Sequence, residues 1–344
     1  MIIRIVAFTK KGWKLAEAVA DAFPEHIWER RDKEDLREWV KSGFELRAPI
    51  VFVGATGIAV RAIAPFVSDK LQDSPVLVLD EMGQFVIPLL SGHVGGANLL
   101  ARQVEERLGL SCERGENHYS PKAVLTTATD VNHMFSVDVF AEQNGLEIIN
   151  RSGIKEVSKK VLEGKQISLV MEDDIDLEDK MPVDILVVYS DSKWLSYDLE
   201  DRAKKETGKY PGILLRIKPY VLGIGCKKGT DAGKLRKFVE KYVDMKQVSM
   251  VASIDLKQKE YGLVQFCQQA GVKLVTYDAN TLQQIEGDFS ESDFVKTITG
   301  VSNVCERAAM VAAGKDGVLL QKKISEDGMT LAMARREVHL QWER

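Results

Sequence analysis

The stretch Pro49-Ile-Val-Phe-Val-Gly-Ala-Thr-Gly57 indicates the fold class of this 344-residue chain. The four apolar residues after the proline are typical of a strand that is buried on both faces. The turn Gly54–Gly57 follows, and apolar residues then recur at helical spacing as far as Pro65. The same alternation extends outward, with apolar strands predicted at Ile2–Phe8 and Val76–Leu79 and amphipathic helices at Lys11–Phe23 and Ala97–Leu108. This order predicts an α/β fold with an N-terminal open, mostly parallel sheet flanked by helices.

Weaker patterning sets the middle of the chain apart. Strands are predicted at Ile167–Met171 and Ile185–Tyr189, with an acidic solvated loop, Glu172–Asp179, between them. The highly charged segment Asp198–Gly208 is interpreted as a surface excursion. At Tyr220–Cys226 a new strand runs into a glycine-rich turn, and a helix predicted at Ala232–Val243 follows, so the α/β pattern restarts here. We therefore predict three domains: an N-terminal α/β domain at residues 1–130, a smaller middle α/β segment at 131–218 and a separate C-terminal α/β domain at 219–344.

Composition excludes several classes of protein. The formal charge is −4 and no run of Lys and Arg forms a phosphate-binding stripe, which argues against a nucleic-acid partner. The longest apolar stretch, Ile50–Val67, is interrupted by Thr56, Arg61 and Pro65, so no membrane span is predicted. The N-terminal strand does not resemble a signal peptide. Four well-separated cysteines without a CxxC pair argue against a zinc knuckle or a disulfide framework, and favour a cytoplasmic protein with reduced thiols.

Ligand binding is predicted at three glycine-rich loops beyond the carboxyl ends of strands, where helix N-termini bind anions. The first loop is Gly54–Gly57, with Thr56, Gly57 and Arg61 as candidate binding residues. It matches neither GxxxxGK[ST] nor GxGxxG, so nucleoside triphosphates and dinucleotides are not indicated. A tight strand-to-helix turn without a ligand is the alternative interpretation of its glycines.

The second loop, Ser91-Gly-His-Val-Gly-Gly-Ala-Asn98, contains a histidine among three glycines. Glycines at this density favour close approach of a ligand, because each one loses extra chain entropy on folding. His93 is the candidate acid or base, since histidine exchanges a proton near neutral pH. The alternative is a capping or hydrogen-bonded structural histidine. The candidate binding residues of this loop are Ser91, Gly92, Gly95, Gly96 and Asn98.

The third loop, Gly223–Asp231, places two lysines beside three glycines and therefore suits an anion. Its candidate binding residues are Gly225, Cys226 and Lys228. A nucleophilic role for Cys226 is less favoured than simple packing, because no histidine lies nearby in the sequence to activate the thiol.

Alternation and spacing further along the chain suggest additional candidates. Ser253, Asp255 and Lys257 alternate at a period of two, which predicts a common face of an extended segment, turned either to a ligand or to solvent. Asn303 and Glu306 have the spacing of a capping box, in which Asn303 caps a helix and Glu306 reaches back to it.

Carboxylates near strand ends are the remaining catalytic candidates. Glu81 follows the strand Val76–Leu79, and Asp130 follows Thr126-Thr-Ala-Thr. The absence of GxSxG and HExxH from the sequence argues against a serine-hydrolase elbow and a zinc hydrolase, and no metal ligand set is predicted. The residues alone thus indicate an anionic small molecule held between glycine-rich loops of two α/β domains.

Two sets of motifs resemble the cobalt-precorrin-5A hydrolase family, the CbiG proteins of anaerobic cobalamin synthesis. The N-terminal set is Val53-Gly-Ala-Thr-Gly-Ile-Ala-Val-Arg-Ala-Ile-Ala-Pro65, Leu89-Leu-Ser-Gly-His-Val-Gly-Gly-Ala-Asn98 and Thr126-Thr-Ala-Thr-Asp130. The C-terminal set is Gly223-Ile-Gly-Cys226, Ala252-Ser-Ile-Asp-Leu-Lys257, Val304-Cys-Glu306 and Ala312-Ala-Gly314. Their order and spacing agree through most of the chain, whereas the middle segment resembles the family only in length and position.

The resemblance implies a specific reaction. Members of this family open the δ-lactone of cobalt-precorrin-5A with water and release acetaldehyde, giving cobalt-precorrin-5B. The cobalt belongs to the substrate, so no cofactor is expected, and the acetate and propionate arms of the corrinoid account for an anion site without phosphate motifs. Our hypothesis makes His93 the base that activates water, the N–H groups of Gly95 and Gly96 the oxyanion donors, and Asp130 or Glu81 the group that assists C–C cleavage.

Two other functions are compatible with the sequence. A corrinoid carrier would bind the pathway intermediate without chemistry and pass it between neighbouring cobalamin-pathway enzymes. A nucleotide-dependent transferase is the second alternative, although phosphate-binding motifs are missing. The sequence makes no prediction of the oligomeric state.

Overall fold

The computed structural model describes residues 1–69, 72–173, 183–196, 210–292, 297 and 299–341. Three sheets with associated helices account for these residues, so the predicted α/β class is confirmed. The predicted excursion Asp198–Gly208 and the acidic loop beyond Asp173 lie outside the described residues. Within the described ranges, no helix combines the length and the apolar content that crossing a membrane requires.

The N-terminal sheet contains six strands whose side chains alternate between two cores. Its strands are β1 (Ile2–Ala7), β2 (Ile27–Arg30), β3 (Ile50–Val53), β4 (Val76–Leu79), β5 (Phe85–Leu90) and β6 (Lys122–Ala123). The helices are α1 (Lys10–Asp21), α2 (Leu36–Leu46), α3 (Thr56–Ile63) and α4 (Ala97–Glu113). Ile5 packs with residues of α1 and α4, whereas Val6 packs with residues of α2 and α3. Helices therefore cover both faces of the sheet, as the continuous apolar strands predict.

Strand direction changes once within this sheet. The strand order is β2-β1-β3-β4-β5-β6, and the first four strands are mutually parallel. Strand β5 is antiparallel to β4, with Val76 opposite Leu90 and Leu79 opposite Val86. Strand β6 is again parallel to β5, so β5, α4 and β6 form a β-α-β crossover that points the opposite way from β1 to β4.

The remaining strands form two smaller sheets. The middle one has the order β7-β10-β9-β8, with only β7 antiparallel, and the last has the order β13-β12-β11-β15-β14. Strands β14 and β15 form an antiparallel hairpin. The middle elements are α5 (Ala128–Val131), α6 (Val137–Gln143), β7 (Leu146–Ile148), α7 (Ser152–Leu162), β8 (Leu169–Met171), β9 (Ile185–Val188) and β10 (Ile213–Ile217). The last elements are β11 (Tyr220–Cys226), α8 (Ala232–Val239), β12 (Val248–Ile254), α9 (Tyr261–Ala270), β13 (Lys273–Tyr277), α10 (Ala279–Gln284), α11 (Cys305–Ala313), β14 (Val318–Glu326) and β15 (Met329–Arg335).

The chain forms two compact units, each of which consists of segments that are separate in sequence. The first unit comprises residues 1–126, 226–238 and 255–274, and the second comprises 127–225, 239–254 and 275–344. The three domains at 1–130, 131–218 and 219–344 stay a prediction.

Residues distant in sequence join the start of β1 within the first unit. The side chain of Gln268, in α9, accepts a hydrogen bond from the Ile2 N–H at 2.6 Å and donates one to the Ile2 carbonyl at 3.0 Å. Val264, one turn earlier in α9, is buried against Ile2, Leu46 and Ala48. Helix α9 therefore completes the apolar core at this end of the N-terminal sheet.

A close approach of main chain to main chain explains one glycine of β11. A Cβ atom built on Gly223 would lie 1.7 Å from the Cys305 carbonyl oxygen and 3.0 Å from the Ala309 nitrogen. Helix α11 therefore packs directly on the backbone of β11, which only glycine permits at this position. Gly223 and Gly225 are strand residues, so the prediction of a glycine-rich turn at these two positions is wrong.

Acid should destabilise the first unit through His26. This side chain is 17% exposed and its ring stacks on Phe23 at 5.9 Å. Burial first, and then the N-terminal ammonium, lower the pKa of His26 from 6.5 to about 4 against the opposing effect of Glu25. Between these two values the unfolded chain binds a proton that the folded chain does not. The free energy of unfolding should therefore fall with decreasing pH, by up to about 1.4 kcal/mol per unit.

Urea denaturation at about pH 7 and about pH 5 measures this effect. The variant His26→Phe keeps the ring contact without a titrating group, and its free energy of unfolding should fall less over the same interval. Equal pH dependence in the two proteins would contradict the assignment.

Candidate active site

The candidate residues of the N-terminal sheet lie at two opposite edges. Gly54–Gly57 follows β3 and Glu81 follows β4, so both are at the carboxyl edge of the parallel strands β1 to β4. Ser91–Asn98 follows β5, whose last residue pairs with the first residue of β4. Four residues of β4 separate the edges, a length of about 13 Å. The prediction that these loops share one crevice is therefore wrong, because β5 runs antiparallel.

The first edge carries an open helix N-terminus and a cation. Helix α3 has no side-chain cap, and its N-cap residue is Ala55. The exposed Arg61 guanidinium folds back over this turn, since a Cβ on Gly57 would lie 3.4 Å from its Nη1 atom. Within the described ranges no carboxylate pairs with Arg61. Thr56, Gly57 and Arg61 can thus together receive an anion.

Phe8 is a residue of this edge that the sequence analysis missed. It follows β1 and is 40% exposed, and its ring lies 3.1 Å from the position of a Cβ on Gly54, where φ is +154°. An aromatic side chain at the end of a buried strand, next to a glycine turn, is the signal that could have indicated it.

The carboxylates after β4 have different roles. Asp80 accepts hydrogen bonds from the N–H groups of Met82, Gln84 and Phe85 at 2.8, 2.9 and 2.7 Å. Asp80 therefore fixes the turn between β4 and β5. Glu81 is half-buried at the carboxyl edge of β4, and the sheet separates it from His93 at the other edge.

Internal hydrogen bonds close the loop Ser91–Asn98. The Ala97 N–H donates to the Ser91 carbonyl at 3.1 Å, and the Asn98 N–H donates to the Gly92 carbonyl at 2.9 Å. The Ser91 hydroxyl donates to the Asp73 carbonyl at 2.9 Å, and Ser91 has a φ of +55°. The first N–H groups of α4 are thus satisfied by the loop itself, so the prediction that this helix N-terminus binds the ligand directly is wrong.

Steric contacts explain two glycines of this loop. A Cβ on Gly92 would lie 2.6 Å from the amide oxygen of Asn98, and a Cβ on Gly95 would lie 2.4 Å from the Ser91 Cβ. Asn98 is only 6% exposed. Ser91 and Asn98 therefore shape the loop, and their direct contact with a ligand stays a prediction.

His93 lies half-buried at the outer bend of the same loop. Its carbonyl accepts a hydrogen bond from the Gly96 N–H at 2.8 Å. The predicted oxyanion role of the Gly96 N–H is wrong for this conformation, because that donor is already paired. The Gly95 N–H takes no part in the hydrogen bonds of the loop. The His93 imidazole and the Gly95 amide thus both lie at the carboxyl end of β5.

Two further elements supply the remaining predicted groups on the N-terminal side. Strand β6 is parallel to β5, so Thr126 leaves the sheet at the same edge as Ser91 and His93. Asp130 lies half-buried in the short helix α5, which belongs to the second unit.

The third loop is partly packed and partly exposed. A Cβ on Gly225 would lie 2.5 Å from the Thr330 hydroxyl oxygen, so packing requires this glycine. Burial raises the pKa of Cys226, which keeps the thiol protonated and disfavours a nucleophilic role. Lys228 is fully exposed at the surface.

The predicted common face of Ser253, Asp255 and Lys257 does not form. Strand β12 ends at Ile254, and Asp255–Lys257 turns as a 3₁₀-helix. The Ser253 hydroxyl is completely buried and donates to the Ile224 carbonyl at 2.7 Å, so it holds two strands together. Asp255 is exposed.

Lys257 is paired with a carboxylate that the sequence analysis missed. Its ammonium lies 2.9 Å from Glu260, which also accepts the Gly229 N–H at 2.7 Å. The i,i+3 spacing of Lys257 and Glu260 could have indicated the pair. The pair fixes the third loop rather than leaving Lys257 open to an anion.

Only half of the predicted capping box forms. The Asn303 side chain accepts the Glu306 N–H at 2.9 Å as predicted, although the N-cap residue of α11 is Val304 and not Asn303. The fully buried Glu306 carboxylate instead accepts hydrogen bonds from the Ser290 hydroxyl at 2.7 Å and the Lys323 N–H at 2.7 Å. Burial alone would raise the pKa of Glu306, but these hydrogen bonds lower it, so the residue is a structural anchor.

Comparisons with known proteins cover nearly the whole chain. Three family models match: Cobalamin synthesis G N-terminal at residues 38–130, Cobalamin biosynthesis central region at residues 135–197, and Cobalamin synthesis G C-terminus at residues 220–334. Cobalt-precorrin-5A hydrolase of Salmonella typhimurium is 31% identical over 308 residues, covering 85% of this chain and 83% of that protein. The protein of the same name from Priestia megaterium is 30% identical over 363 residues, covering 96% and 94%.

A solved structure also aligns along the chain. The crystal structure of a cobalamin biosynthesis protein G homologue from Sulfolobus solfataricus covers 98% of this chain and 97% of its own, at 19% identity and a TM-score of 0.40.

Proposed function

Because the chain belongs to the cobalamin synthesis G family of cobalt-precorrin-5A hydrolases, we propose a mechanism that assigns its own residues to the lactone-opening reaction. The protein is an enzyme of cobalamin biosynthesis. It hydrolyses the δ-lactone of cobalt-precorrin-5A and releases acetaldehyde to give cobalt-precorrin-5B. Cobalt enters and leaves as part of the corrinoid, and the mechanism needs no cofactor.

The position of His93 is the observation that supports the chemical assignment. His93 is held at the carboxyl end of β5, in a loop whose main chain is fixed by the hydrogen bond from Gly96 to its carbonyl. A positioned imidazole removes a proton from water as the water attacks the lactone carbonyl. The imidazolium then returns the proton to the departing alkoxide, so the ester C–O bond breaks without a free strong base.

The oxyanion and the second step need other groups. The Gly95 N–H is the proposed donor to the carbonyl oxygen, since the Gly96 N–H is engaged within the loop. Asp130, in α5 of the second unit, stays the sequence-based candidate for the C–C cleavage: the carboxylate takes the hydroxyl proton, acetaldehyde departs, and the electron pair of the broken bond stays with the corrinoid. Glu81 does not assist the C–C cleavage in this mechanism, because it lies at the opposite edge of the sheet from His93.

Thr56, Gly57 and Arg61 are assigned a separate task. Carboxylate arms surround the rim of a corrinoid, so a contact far from the lactone can support binding without entering the chemical step. An open helix N-terminus and an unpaired guanidinium suit such an arm. Lys228 and Asp255, both exposed, stay proposed contacts of the substrate, as does Cys226 through its half-buried thiol.

Replacing Arg61 with glutamine should raise KM about tenfold and leave kcat within about twofold, because a charged hydrogen bond remote from the reacting bond supports uniform binding. Steady-state kinetics under anaerobic conditions measure both constants. Arg37→Gln is the matched control, since Arg37 is also an exposed arginine of a helix. An unchanged KM for Arg61→Gln would remove this edge from the substrate site.

Anaerobic incubation with the cobalt-bearing lactone tests the whole assignment. Mass measurement should show gain of water and loss of acetaldehyde from the corrinoid, with free acetaldehyde formed in equal amount over many turnovers. The carrier alternative instead requires stoichiometric binding of an unchanged corrinoid.

Cytoplasmic location and contact with neighbouring pathway enzymes are further parts of the proposal, and co-purification from anaerobically lysed cells tests them.

A further inference from the structure

Three side chains with metal-binding donors that the proposed mechanism does not use meet in the second unit. Asp316 lies in the turn between α11 and β14, and Glu337 and His339 lie in the tail that follows β15. Their donor atoms all fall within 4.8 Å of one another. The sequence spacing does not group these residues, because folding brings the tail back beside the turn.

Hydrogen bonds fix the tail on both sides of Glu337 and His339. Arg336 donates to the carbonyl oxygens of Asn144 at 2.6 Å and Lys218 at 3.1 Å. Gln341 exchanges two hydrogen bonds with the Asn144 side chain, at 2.6 and 3.1 Å. Glu337 and His339 are therefore presented on restrained main chain, which reduces the entropy that these two donors lose when they enclose an ion.

The carboxylates of Asp316 and Glu337 lie close to each other and to the His339 ring. His339 lies 3.6 Å from Glu337, and within the described part of the chain neither Glu337 nor Asp316 has a lysine or arginine partner. The nearby Tyr189 hydroxyl donates to Asp173 at 2.6 Å, and this bond, burial and the charges of neighbouring carboxylates, including Glu337, raise the pKa of Tyr189 to about 12. A bound cation would relieve this repulsion.

We propose that Asp316, Glu337 and His339 bind one divalent transition-metal ion, for which Zn²⁺ is the expected occupant. One imidazole nitrogen with two carboxylate oxygens is a donor set that Zn²⁺ accepts, with water in the fourth position. Hard cations such as Mg²⁺ and Ca²⁺ prefer oxygen donors alone. The ion would connect the turn to the tail, so its effect is to stabilise the second unit. This site is separate from the cobalt of the substrate.

Metal titration of the full-length chain without a polyhistidine tag tests the site. Isothermal titration with Zn²⁺ should give one equivalent, and Co²⁺ should give visible absorption bands that Zn²⁺ abolishes. His339→Ala and Asp316→Asn should each weaken binding by at least about tenfold, because the first removes a ligand and the second replaces a charged oxygen ligand with a neutral one. Zn²⁺ should also raise the Tm of the original chain and not that of the two variants, since only ligand bound to the folded state stabilises it.

His118→Ala is the matched control, because His118 is also exposed but lies outside the group. Far-UV circular dichroism checks that each variant is folded, which is expected for changes at exposed side chains. Zn²⁺ affinity that is equal in all four proteins, or no binding by the original chain at submillimolar Zn²⁺, overturns the proposal. Neither result would bear on lactone hydrolysis, which is measured separately.

Discussion

Replacing His93 with alanine should lower kcat for lactone opening by about 10²–10⁴-fold, the usual contribution of a positioned general base. The loss should appear in kcat more than in KM, because the imidazole acts on water in the transition state and contributes little to holding the corrinoid. Single-turnover measurements of acetaldehyde release under anaerobic conditions separate the chemical step from product release. The decrease of kcat at low pH, where the base is protonated, should also disappear in the variant.

Two controls distinguish chemistry from loss of structure. His118→Ala removes an exposed imidazole elsewhere in the first unit and should leave kcat unchanged. His93→Gln keeps a polar side chain in the loop and should be as slow as His93→Ala, since an amide cannot accept the proton. Either His93 variant turning over at the original rate would eliminate His93 as the base.

Replacing Gly223 with alanine should lower the free energy of unfolding by at least about 3 kcal/mol, the upper part of the usual range for overpacking. The added Cβ would lie 1.7 Å from the Cys305 carbonyl oxygen, which belongs to the main chain of α11 and cannot rotate away. Helix α11 would have to move off β11 as a body and uncover buried alanines such as Ala308 and Ala309. Urea denaturation with near-UV circular dichroism measures both the stability and the loss of fixed packing.

Gly109→Ala is the matched control. Gly109 lies in α4, and its Cβ would meet only the Ser120 hydroxyl at an ordinary 3.8 Å. The same chemical change should therefore raise the free energy of unfolding by about 0.5–1 kcal/mol, because alanine favours a helix. Equal effects at the two positions would show that the α11 contact does not restrict residue 223.

Local patterning predicted the elements of the N-terminal sheet but not their relation in space. The apolar runs at Ile50–Val53 and Val76–Leu79 became buried strands, as predicted. The run Phe85–Leu90 does not reveal that β5 is antiparallel, because strand direction depends on pairing with β4 and not on residue type. The position of His93 relative to Glu81 depends on that direction, so the sequence could not separate the two candidates.

The same limit applies to side chains whose partners are distant in the chain. The capping-box spacing correctly placed Asn303, but the Glu306 carboxylate found Ser290 and Lys323 instead of its own helix terminus. Period-two alternation was wrong at Ser253–Lys257 because β12 ends at Ile254. In both cases the tertiary structure, and not the local spacing of residues, determines where the side chain lies and what it contacts.

Because α9 contacts the start of β1, the core of the first unit cannot be completed until α9 has been synthesised. The Gln268 side chain forms hydrogen bonds with both the N–H and the carbonyl of Ile2, although the two residues are 266 positions apart in the sequence. A ribosome that has made only the first 126 residues has not yet made Val264, which covers Ile2, Leu46 and Ala48. A fragment that ends at residue 126 would leave this apolar surface exposed to water and should self-associate. In the whole chain, contacts between residues so distant in sequence are expected to form slowly.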